Sequence, residues 1–75
     1  MKQLNEANQA ITVVFSMMTP TTLAAVINDL MSDLAETGCP EARRGWLIAL
    51  GQLKNLVGKD EAYAMIDAER MNQLS

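Results

Sequence analysis

Both prolines and two of the four glycines of this 75-residue chain fall at positions 20, 38, 40 and 58, and they cut it into four stretches of similar length. Proline lacks a backbone N–H and disfavours helix in the residue before it, yet it sits well at a first helical position. Glycine takes the left-handed conformation that closes helices. The punctuation therefore predicts an all-α fold, a small bundle of three to four helices in one domain spanning residues 1–75. The expected helices cover approximately residues 3–18, 20–37, 40–57 and 60–74.

The side-chain pattern supports each stretch to a different degree. In the second, Leu23, Val26, Ile27, Leu30, Met31 and Leu34 form one apolar stripe. Asn28, Asp29, Ser32, Asp33 and Glu36 face away from it, Thr19 is placed to cap the start, and Gly38 is placed to close the end. In the third, Trp46, Ala49, Leu50, Leu53, Leu56 and Val57 share a face, while Leu47 and Ile48 fall off it. A helix that is apolar nearly all round is contacted nearly all round, so this stretch is expected at the centre of the fold. Gly45 and Ala49 are four residues apart and predict a close helix approach there. The fourth stretch is expected to start with Asp60 as its cap, and its apolar residues Tyr63, Met65, Ile66, Met71 and Leu74 make no clean stripe.

The first stretch admits two readings. As a helix, it places Leu4, Ala7, Ile11, Val14, Phe15 and Met18 within an arc of about 100° at 3.6 residues per turn. As a strand, it alternates Ile11, Val13, Phe15 and Met17 with Ala10, Thr12, Val14 and Ser16, and its β-branched content suits that state. The helix accounts for the whole of residues 4–18 and the strand for about half, so the helix is favoured.

A chain this short buries only about 60% of its unfolded surface, so its core is marginal without reinforcement. A single cysteine, Cys39, rules out an internal disulfide, and the lack of histidine leaves no zinc set. Efficient helix packing or association with a second chain remains, and the 49% hydrophobic content can supply either. Completion of the bundle by homodimerisation is the expectation.

Catalysis is not expected. Without histidine the commonest general acid–base group is missing, and there is no glycine-rich phosphate loop. Asp29, Asp33 and Glu36 line a helix face at spacings of four and three, a pattern read first as a solvated acidic face and second as a cation site. Cys39 reads as a passive small residue in a turn, with a redox-sensitive thiol as the alternative. No cofactor and no metal is expected. The polar N-terminal residues and the short apolar runs predict neither a secretory signal nor a membrane span, and a cytoplasmic location follows.

The formal net charge of −3 argues against a nucleic-acid partner. Charge is nevertheless segregated, and Arg43, Arg44 and Lys54 form a candidate basic strip on the third helix. Six methionines suit a surface that adapts to partners. Val13, Met17 and Ile48 are left over by the predicted faces. Together with Trp46 and Leu47 they form the candidate interface. The expected function is a non-catalytic helical protein–protein interaction module, an adaptor, regulator or inhibitor of the kind mobile elements carry. Its partners would be a second copy of itself and an unidentified target protein.

The alternative is a DNA-binding regulator. If residues 10–17 are a strand, the order strand–helix–helix from Ile11 to about Leu53 resembles the ribbon-helix-helix repressors, with Leu-Ala-Glu-Thr-Gly at 34–38 echoing the turn between their helices. The resemblance implies a dimer that reads DNA through the strand, where this chain offers Thr12, Val14 and Ser16. A helix-turn-helix is the other form, with Arg43 and Arg44 entering the major groove.

Overall fold

Pro20 keeps the first helix from running on into the second. Its ring would collide with the carbonyl four residues earlier, that of Ser16. In the computed structural model, which describes residues 2–74 and the side chains of residue 6 and of residues 8–74, the first helix α1 spans Lys2–Ser16. It ends two residues before the sequence pattern suggested. The amides of Met17 and Met18 bond to the carbonyls of Val14 and Phe15, three residues back, which tightens the last turn. The tightening sends Met18 inward against the core and leaves Met17 in solvent.

Residues 10–17 are therefore not a strand, and the ribbon-helix-helix reading falls with that assignment. Within the β-branched run, Thr12 turns its hydroxyl to the carbonyl of Asn8, at 2.8 Å, so the helix satisfies that polar group. Leu4 and Ala7, expected on the inner face, lie outside the described side chains. Val14, also expected inside, is exposed.

Helix α2 spans Pro20–Thr37, α3 spans Pro40–Val57 and α4 spans Lys59–Leu74. Thr19 caps α2, its hydroxyl accepting from the amide of Thr22 at 3.2 Å. Gly38 closes α2 at a φ of 64°, its amide bonded to the carbonyl of Leu34 at 2.7 Å. Only two residues, Gly38 and Cys39, then separate α2 from α3, so the chain doubles back at once. A single residue, Gly58, links α3 to α4, and its carbonyl accepts the amide of Ala62. Asp60 is therefore not the cap; it sits inside the first turn of α4, where its charge favours the helix dipole.

Helix α3 packs against all three others, and α2 against α3 and α4. The core joins Phe15 of α1, Leu23, Ala24 and Ile27 of α2, Ala49, Leu50 and Leu53 of α3, and Ala62 and Ile66 of α4. The shortest dimension is 17 Å, which suits two layers of helices spaced 8–10 Å apart rather than three. Two layers leave every helix with an outward face.

Asn28 departs from the sequence reading. It was expected to face solvent, but it is 3% exposed. Its Nδ2 donates to the carbonyl of Ala24 on its own helix and to that of Ile66 on α4, both at 3.1 Å. The helical wheel places Asn28 on the flank of the α2 stripe, and that flank is where α4 lies. Leu56 errs the other way, expected inside and found half exposed at the C-terminal end of α3.

Asn28→Asp would replace the donor group with oxygen facing two carbonyl oxygens. It is expected to destabilise the fold by about 2–4 kcal/mol, the cost of a buried polar group stripped of its partners. Urea unfolding followed by circular dichroism measures this. A change below about 0.5 kcal/mol would show that α4 does not depend on the bond.

Candidate interaction surface

The outer face of α1 carries the clearest exposed apolar residues. Val13 lies about 160° around the helix from the buried Phe15, at 3.6 residues per turn, and Met17 follows just past the end of the helix. Val13 is 59% exposed, Val14 51% and Met17 81%, and Ala10 is exposed one turn before them. Helix α1 is thus apolar on two sides, one turned to the core and one to solvent. Its only charged residues are Lys2 and Glu6, both in its first half.

The other candidate residues divide between surface and core. Leu47 is 52% exposed on α3. Ile48 is half-buried and packs against the core cluster, as does Trp46. The five residues therefore differ in exposure, with Val13, Met17 and Leu47 the most open. Trp46 carries one anomaly: its indole Nε1 is buried and has no hydrogen-bond partner. A buried donor left unmade costs about 1–3 kcal/mol, so this group calls for a specific explanation.

The basic residues are also dispersed. Arg43 and Lys54 share one flank of α3, and Arg44 points about 100° away from Arg43. Arg43 and Arg44 are exposed. Lys54 is half-buried, with its ammonium 5.2 Å from the centre of the Tyr63 ring on α4, a cation–π pair across the α3–α4 corner. Asp29, Asp33 and Glu36 are exposed on α2. Among the described residues, no three His, Cys, Asp or Glu side chains gather closely enough to hold a metal ion. Cys39 is a free thiol, half-buried at the α2–α3 turn, with no side-chain capping bond. Among the described residues, no helix is long and apolar enough to cross a membrane.

Gly45 does not serve a backbone approach. A methyl group placed there would meet only the Leu30 side chain, at 3.5 and 3.6 Å, an ordinary contact. At Gly51 a methyl group would meet nothing within 4 Å. Compared with protein-family models, with curated proteins and with solved structures, the chain matches none.

Both glycines lie inside α3, where glycine costs about 1 kcal/mol relative to alanine. Gly45→Ala and Gly51→Ala are each expected to raise stability by about 0.5–1 kcal/mol, read as a higher urea midpoint with an unchanged slope. A lower midpoint for Gly45→Ala would mean that α2 approaches α3 more closely than the Leu30 contact indicates.

Proposed function

We propose that this chain is a non-catalytic helical interaction module, which pairs with a second copy of itself through the outer face of α1 and works as a small adaptor, regulator or inhibitor. The observation that supports the reading is the exposure of Val13 and Val14 on α1, and of Met17 just past its end, while Phe15 on the same helix is buried in the core. A monomer gains nothing from this second apolar face, whereas a partner that covers it removes that area from water.

A second copy suits the face on electrostatic grounds. In a two-fold contact each patch meets itself, so any charge on the patch meets a like charge. The C-terminal half of α1 carries none. The area sets the strength. A helix of 15 residues is about 22 Å long, and one such helix from each copy lies at the small end of specific interfaces. Reversible association with a Kd on the order of 1–100 µM is the corresponding expectation.

Light scattering after size-exclusion chromatography tests this across a range of loading concentrations. The mass is expected to rise from one chain toward two as concentration increases. The double variant Val13→Asp, Met17→Asp is expected to remain a monomer with unchanged helicity. A wild-type protein that stays monomeric at every concentration overturns the self-association, and a dimer indifferent to the double variant removes α1 from it. Tight binding to duplex DNA that weakens steeply with salt would transfer the function to Arg43 and Arg44 on α3.

A further inference from the structure

We propose that the trough over the C-terminal half of α2, walled by α3 on one side and α4 on the other, binds a peptide segment of a foreign protein that carries a single acidic residue. The peptide seats a bulky apolar side chain against Trp46 and a carboxylate on Arg70. This surface does not involve the outer face of α1, so the proposal stands or falls independently of self-association.

Two hollows make up the trough. One, of about 190 Å³, is lined by Met31, Leu34, Ala35 and Trp46. The other, of about 300 Å³, is lined by Asn28, Met31, Ser32, Ala35, Arg70 and Gln73. They share Met31 and Ala35, so they adjoin across α2. The trough exists because Ser32 and Ala35 are short and one turn apart, while longer side chains stand on either side of them. Its floor is fixed, since Asn28 is tied to both α2 and α4.

The chemistry of the walls selects the occupant. The smaller hollow has no polar side chain except the indole of Trp46, and it has room for one large aliphatic or aromatic group. The larger hollow has one charged group, Arg70. Its guanidinium meets only the sulfur of Met31, at 3.7 Å, and sulfur is a weak acceptor. A guanidinium fork matches a carboxylate with two parallel bonds, which is the stronger partner this arginine lacks among the described residues. Both hydrogens of the Asn28 amide are already committed, so Asn28 can offer the trough only its acceptor oxygen, suited to a peptide N–H.

Trp46 presents apolar ring surface to the smaller hollow, while its own N–H is buried and unpartnered among the described residues. Tryptophan and arginine are also the residue types that most often dominate protein interfaces. Asp29, Asp33 and Glu36 are exposed on the outward side of α2 and would repel a polyanion, so a nucleic acid is disfavoured against a peptide with one acid placed over Arg70.

The test is a selection from a random, tryptophan-free peptide display library with the wild-type protein as bait. Enriched sequences are expected to pair a bulky apolar residue with Asp or Glu. A synthetic version should shift the emission of Trp46, the single tryptophan of the chain. Its affinity should fall at least tenfold in Arg70→Glu, and replacing the acid of the peptide with lysine should restore binding in that variant. Ala35→Arg, which fills the trough, should abolish binding. Both positions are exposed, so these variants are expected to keep the fold, with circular dichroism as the check. The double variant Val13→Asp, Met17→Asp should bind the peptide as wild type does, which separates this site from the α1 face. A basic or neutral consensus, no enrichment, or binding indifferent to Arg70→Glu and Ala35→Arg would each overturn the proposal.

Discussion

The contact between α2 and α3 is what the rest of the molecule is built on. Leu23, Ala24 and Ile27 meet the core from one side and Ala49, Leu50 and Leu53 from the other, and Leu23, Ile27 and Leu53 are fully buried. Helices α1 and α4 are additions to this pair: α1 packs on α3, and α4 packs on both. The alanines explain how a thin core holds together. Ala24, Ala49 and Ala62 are completely buried, and small side chains at contact points let helices approach closely. They also limit what the core can contribute, because an alanine removes little apolar area from water. A fold of this size therefore depends on a few large side chains and on polar bonds that hold helices in place.

Asn28 is such a bond, and it shows why some of the structure could not be read from the sequence. Helical periodicity places a residue on an arc but does not say how wide the buried arc is. On α2 the arc widens toward Asn28 because a second helix, α4, leans on that flank. On α3 it widens to include Ile48, since three helices surround α3. At the end of α3 it narrows, and Leu56 is left half exposed. Helix boundaries were more legible, because Thr19, Pro20, Gly38, Pro40 and Gly58 act through local sterics and hydrogen bonds that need no tertiary partner. The end of α1 falls two residues short of the expectation because the amides of Met17 and Met18 bond three residues back instead of four, which periodicity does not show.

The interaction surface was partly legible for the same reason. Val13 and Met17 lie opposite the inner stripe of α1, and a helix with one large neighbour leaves that side free. Leu47 is exposed on the side of α3 that its neighbours do not cover. The trough over α2 was not legible. It depends on which residues of α3 and α4 come to stand beside Ser32 and Ala35, and no periodicity in any single helix carries that information. Trp46 stood out in the sequence for its size alone. Only packing makes it the wall of a hollow with an unpartnered N–H.

The attachment of α1 has a kinetic consequence. Its principal contact is with one helix, α3, and among its described side chains only Phe15 is buried in the core. Opening α1 alone gives up much less buried area than opening the α2–α3 pair, so amide hydrogens along α1 should exchange through subglobal openings well before the rest of the bundle unfolds. Each opening empties the socket of Phe15 on a body that is otherwise intact. At high protein concentration that socket becomes available to the α1 of another molecule, and exchange of α1 between chains becomes a route to assembly distinct from surface docking.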